Sequence, residues 1–162
     1  VICSCSQEEV QTKDLIEDKN TSEMFYEGKL FTGIAINNWK NNKPREEIHY
    51  KKGLKHGPYK KRGEYTGNIT SKGNYLNGKE NGKWISRTPG NVLMAEVEYK
   101  DGILNGKFIN YYGNGQIKTT GLYKNGKEEG WWEYYHAHKG LIKEVYFEEG
   151  IKLSEQQEFE LR

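Results

Sequence analysis

The chain is poor in what usually builds a protein core. Only 34% of its 162 residues are hydrophobic, and Leu, Ile, Val and Phe make up about a fifth, near the level below which chains stay disordered. Cysteine is almost absent: the two residues, Cys3 and Cys5, sit at one terminus. Two cysteines one residue apart cannot staple a fold, and no histidine lies near them to complete a zinc site. Three prolines exclude a Pro-rich linker. No apolar run approaches 18 residues, so no stretch reads as a membrane-spanning helix. An excess of one charge sign is also missing: 25 basic against 23 acidic residues leave +2, and a chain with so small a net charge lacks half of the disorder signature. What is abundant is glycine, 19 residues, and aromatics, 13% with 12 tyrosines. The core must therefore be made from glycine turns and aromatic strands.

The body repeats itself. Tyr75-Leu76-Asn77-Gly78-Lys79-Glu80-Asn81-Gly82-Lys83-Trp84 aligns with Tyr99 to Phe108, with Tyr123 to Trp132 and with Tyr50 to Tyr59. Phe25-Tyr26-Glu27-Gly28 opens a degenerate first copy and Phe147-Glu148-Glu149-Gly150 a truncated last one. The first glycine recurs at 28, 53, 78, 102, 126 and 150, the second at 33, 57, 82, 106 and 130. Such a period marks a repeat architecture. Lys-Gly, Asn-Gly and Asp-Gly place glycine where a tight turn needs a positive φ. A strand is expected after each second glycine, then another turn, then a return strand. The reading is all-β: an elongated, single-layer antiparallel β-meander of stacked hairpins, about ten strands and about 45–50 Å along the sheet. Tyr59, Trp84, Phe108 and Trp132 should form one aromatic column, and Tyr50, Tyr75, Tyr99, Tyr123 and Phe147 a second on the same face, with glycines leaving room for rings over the backbone. Ala35 stands where the other copies carry an aromatic. Residues 24–153 form the repeat domain, and 154–162, which fit no copy, are expected to cap an open sheet edge.

The pattern Y-x-(N/D)-G-x-x-x-G-x-(W/F) resembles MORN repeats, most of all the variant found in bacterial YwqK-type antitoxin proteins. The resemblance implies a protein-binding sheet that occludes a toxin, without catalysis and without a cofactor. MORN repeats elsewhere bind phosphoinositides or membranes, which implies the alternative of an envelope scaffold holding lipid head groups. Ile2-Cys3-Ser4-Cys5 resembles the bacterial lipobox, which makes Cys5 the lipidated residue and 1–5 a signal remnant, and implies an exported protein anchored in the cell envelope, at the outer membrane or cell surface. Residues 6–23 hold six carboxylates and two lysines, net −4, and read as a flexible acidic tether. The remaining 139 residues carry +6.

The chemistry-bearing motifs are few. His136 and His138 share a face of a strand, but no third ligand is placed beside them. No Gly-x-Ser-x-Gly and no phosphate-binding Gly-Lys-Ser/Thr occurs, and no enzyme is expected. Binding is expected instead. Strand alternation puts Ile109, Tyr111, Trp131 and Tyr135 on the face opposite the columns, with Arg62 and Arg87 at the matching place of earlier copies. Arg87, Tyr111, Trp131 and Tyr135 are the candidate partner-binding residues, because Trp, Tyr and Arg dominate protein interfaces. Lys51, Lys52, Lys55, Lys60, Lys61 and Arg62 form the candidate site for an anionic surface. The expected partners are a protein and the membrane that holds the anchor. No nucleic acid is expected, and the chain is expected to be a monomer. Sugar binding by the aromatic stripe is a further reading.

Overall fold

The structure is a computed structural model and describes residues 8–157. Cys5 therefore lies outside the described residues, as do 158–162. The elements are β1 (Glu9–Gln11), a 3-10 turn (Thr12–Asp14), β2 (Ile16–Glu17), β3 (Met24–Tyr26), β4 (Lys29–Leu30), β5 (Gly33–Asn38), β6 (Pro44–Lys51), β7 (Leu54–Arg62) and β8 (Ile69–Leu76). They continue as β9 (Lys79–Glu80), β10 (Gly82–Arg87), β11 (Leu93–Lys100), β12 (Ile103–Tyr111), β13 (Ile117–Lys124), β14 (Lys127–His136), β15 (Gly140–Glu148) and β16 (Ile151–Gln157). Among the described residues thirteen strands form one open sheet, with β5 to β16 in sequence order and β9 pairing only with β8. All pairs are antiparallel except the first, β1 with β5. The fold is the all-β hairpin meander that the glycine period implies.

The hairpins close on tight turns of one kind. In Asn77-Gly78, Asp101-Gly102 and Asn125-Gly126 both central residues have positive φ, 49° and 87° in the first. This is the I′ geometry, whose twist matches that of the flanking strands. Each turn is bonded to the hairpin before it. The amides of Gly53, Gly78, Gly102, Gly126 and Gly150 donate to the carbonyls of Phe31, Lys55, Glu80, Leu104 and Glu128 at 2.8–2.9 Å. Two of the second glycines, Gly33 and Gly82, open a strand as expected, and the other three do not. Gly57, Gly106 and Gly130 lie inside β7, β12 and β14, not before them, and at positive φ they bend a strand that has already begun.

The two aromatic columns stand on one face, and their registry shows that the structural unit is two hairpins long. Across the sheet run Ile48, Tyr59, Gly73 and Trp84, then Val97, Phe108, Gly121 and Trp132, then Val145. The row repeats every 48–49 residues, twice the glycine period. Each Trp lies over a glycine that is not in a positive-φ turn: a Cβ on Gly73 would fall inside the Trp84 indole, and one on Gly121 inside that of Trp132. The geometry recurs with the sequence. Tyr59 meets Trp84 at 5.3 Å and 32°, and Phe108 meets Trp132 at 5.5 Å and 32°. Tyr75 and Tyr123 stand edge-on to the same indoles at 5.1 and 5.0 Å. The rings thus replace aliphatic packing, each pair stabilising by about 0.5–1.5 kcal/mol beyond burial.

The N-terminal segment departs from the sequence reading. Part of the expected tether is built into the sheet. Glu9, Val10 and Gln11 pair with Ile34, Ala35 and Ile36, Thr12 Oγ1 donates to the Ile36 carbonyl at 3.0 Å, and Val10 is buried. One apolar residue is enough because it completes an existing row rather than building a face of its own. The degenerate first copy is also displaced. β2, β3 and β4 form a separate three-stranded sheet, and Phe31 behind it packs 5.8 Å from Tyr50. Phe31 fills the space that an aromatic at Ala35 would take, so Ala35 is fully buried without one. At the other end, Ser154–Gln157 continue β16 from Ile151 rather than starting a distinct cap.

This packing sets an alkaline limit. Burial, then the charges of Glu17 and Glu46, push the Tyr50 phenol up to about 12. Burial and then Glu80 do the same to Tyr75. An unfolded phenol titrates near about 10. The unfolded chain thus loses these protons first, so stability is intact below about pH 10 and falls as pH rises towards 12. Urea midpoints across this range, with tyrosinate absorbance, should show both; stability that stays flat, with phenols titrating near 10, would contradict the assignment.

Candidate functional site

The face opposite the columns carries the candidate residues, and its stations can be compared between the two double hairpins. Moving 48–49 residues along the chain, Lys60 is answered by Ile109, Arg62 by Tyr111, Lys72 by Thr120, Lys83 by Trp131 and Arg87 by Tyr135. On the column face the same shift returns Gly for Gly and Trp for Trp. The backbone and its rings repeat; the opposite face does not, save for Glu47, Glu96 and Glu144 in its central row.

The first half of this face is basic. Lys60 and Lys72 pair across β7 and β8, and Lys72 pairs with Ile85 of β10. Two shallow depressions, about 340 and 260 Å³, share Lys72 and Ile85 and reach Arg87 on one side and Lys60 and Lys83 on the other. Lys60 is held by Glu47 at 2.8 Å and Lys83 by Glu96 at 2.7 Å. The Lys60 ammonium accordingly holds the Glu47 carboxyl below the usual carboxylate range. Lys72 forms no ion pair among the described residues.

The second half is aromatic. Trp131 is 44% exposed and meets Tyr146 at 5.2 Å, 67°. Leu122, Ile117 and Ile142 are exposed apolar neighbours in the same half. Tyr135 donates to Glu133 at 2.8 Å, and burial followed by that bond raises its phenol above the ordinary value. Tyr111 is raised by burial and then by Glu96. Tyr112 Oη donates to the Tyr135 carbonyl at 2.7 Å, tying the two hairpins' far ends.

The structure puts Arg87, Tyr111 and Tyr135 in one line at one end of this face. Trp131 shares the face but lies four residues back along β14, about 13 Å from Tyr135. The six-residue basic cluster is dispersed. Lys60 and Arg62 stand on this face, whereas Lys61, paired with Ser71, is on the column face. Lys55 sits 5.1 Å from the Tyr75 ring on the column face, and Lys51 and Lys52 are at the turn. Alternation in β7 separates neighbours in sequence. It brings Lys60 instead to Lys72 and Lys83, which sequence reading passed over because each is an isolated lysine in its own copy. The three stand at different phases of the period, Lys60 being answered one period on by Ile85 and Lys72 by Glu96, so only strand pairing brings them together. His136 and His138 have ring centroids 6.2 Å apart, and among the described residues no three His, Cys, Asp or Glu side chains gather as a metal site. No family model matches the chain, and no curated protein matches it in sequence.

Proposed function

We propose that this is a non-catalytic binding protein that takes a partner protein on the face opposite the aromatic columns. The observation that carries the reading is the divergence between the two double hairpins: the ring row of the column face repeats, while the opposite face holds cations in one half and rings in the next. The exposed Trp and Tyr half, with Arg87, matches the composition of protein interfaces, and the lysines add charge that selects an acidic partner. It fits an antitoxin or immunity role on an exported, lipid-anchored chain, in which the sheet covers a toxin's acidic and apolar surface by occlusion. The head-group scaffold reading is the weaker one, since Glu47 and Glu96 already neutralise Lys60 and Lys83.

A photo-crosslinking amino acid at Tyr135 or Trp131 should give one discrete adduct in the source cells, identified by mass spectrometry. The control is Tyr65, 89% exposed in a loop. Against the identified partner, Lys72→Glu should weaken binding about tenfold, which is about 1.4 kcal/mol. Equal adducts at Tyr65, or binding unchanged in Lys72→Glu and Trp131→Ala, would overturn the proposal. Co-expression with a toxin encoded beside the gene tests the antitoxin role.

A further inference from the structure

We propose that the column face carries a second site, a hollow beside Trp84 that accepts an alkylammonium group. The two double hairpins supply an internal comparison. In the second, the stations next to Trp132 are filled by Tyr134 and Lys143, paired across β14 and β15, with Lys143 Nζ 5.1 Å from the Tyr134 ring centre. In the first, the same stations are Ser86 and Ala95, paired across β10 and β11. Truncating two large side chains to two small ones leaves an open hollow of about 340 Å³. Its walls are Trp84 and Tyr99, whose rings meet at 6.3 Å and 77° and so form a corner. Glu80, Ser71 and Ser86 add oxygen atoms.

The chemistry of the walls selects the ligand. Among the described residues no lysine or arginine lines the hollow; on this face Lys61 stands across Ser71, in register with Glu46. Glu80 forms no ion pair among the described residues, and its charge helps to raise the Tyr75 phenol. Two electron-rich ring faces with one carboxylate attract a cation and repel an anion. In the filled copy the Lys143 ammonium lies over the Tyr134 ring and pairs with Glu155 at 3.2 Å. The first copy has Ser86 and Phe108 at the stations of that ring and that carboxylate, and offers a cation Trp84, Tyr99 and Glu80 instead. The indole of Trp132 is anchored by donation to the Leu122 carbonyl at 3.2 Å, whereas the Trp84 N–H is buried with no acceptor. Trp84 is held by its packing against Gly73, Tyr59, Tyr75 and Tyr99.

The test is an NMR titration that follows the Trp84 indole N–H, assigned by its loss in Trp84→Phe. Four probes separate the sources: choline, n-butylammonium as a lysine side-chain mimic, 3,3-dimethylbutan-1-ol as the neutral isostere of choline, and methyl glucoside. Both cations should bind with dissociation constants on the order of millimolar, and the neutral alcohol should cause no comparable shift. The preferred cation names the source, a quaternary head group or a partner's lysine. Ser86→Tyr with Ala95→Lys, which copies the filled hairpin, should abolish binding and leave crosslinking at Tyr135 intact. Glu80→Gln should weaken it at least fivefold and provides the second variant if the double one fails to fold. Equal binding of the neutral alcohol, binding of the sugar alone, no shift at about 100 mM probe, or an unaffected Glu80→Gln would overturn the proposal.

Discussion

Trp132→Ala should cost about 3–5 kcal/mol of unfolding free energy, the range for emptying a buried large aromatic site. Trp131→Ala should cost well under that, about 1 kcal/mol or less, although the two residues are adjacent. Trp132 is 3% exposed. It lies over Gly121, contacts Phe108, Tyr123 and Phe147, and donates its N–H to a carbonyl. Removing it leaves a void shared by three hairpins and an unpaired carbonyl. Trp131 points to the other face and loses mainly its contact with Tyr146. Urea denaturation of both variants gives the comparison, and on the proposed function the two effects invert for partner binding. Equal losses of stability would mean that the opposite face is structural rather than a recognition surface.

Gly121→Ala and Gly73→Ala should each destabilise by about 1–3 kcal/mol, the usual cost of overpacking. A single methyl is enough because it would fall inside the Trp132 or the Trp84 indole. The ring must tilt away and give up its stacking on the preceding aromatic. Gly113→Ala is the control: no atom lies within contact of the added Cβ, and Gly113 is not among the positive-φ glycines. It should be neutral or slightly stabilising through the unfolded chain's entropy. At roughly 2–4 °C per kcal/mol for a chain of this size, melting curves separate the two classes. If all three alanines behaved alike, glycine would be serving backbone freedom and not ring space.

These variants also mark how far periodicity reaches. Spacing alone finds the turns, because Asn77-Gly78 and its copies impose a local geometry that no distant contact can alter. It also finds both columns, since strand alternation fixes the face of Tyr75 relative to its own turn. Gly73 and Gly121 carry no such local signature. Their role appears only when the chain is read at twice the glycine period, where each stands beside the Trp of the following strand. The N-terminal strand was illegible for a similar reason. Glu9, Val10 and Gln11 match no copy and are too short to show alternation, and what orders them is the free edge of β5.

Local chemistry therefore decides the hairpins, their order and the ring-bearing face, since turns and alternation act within a few residues. The basic patch and the hollow are decided by registry. Lys60 meets Lys72 and Lys83, and Ser86 meets Ala95, because consecutive strands of the meander are bonded in one particular register. Side-chain function on a sheet depends on the neighbouring strand as much as on its own, and only the folded pairing brings those neighbours together.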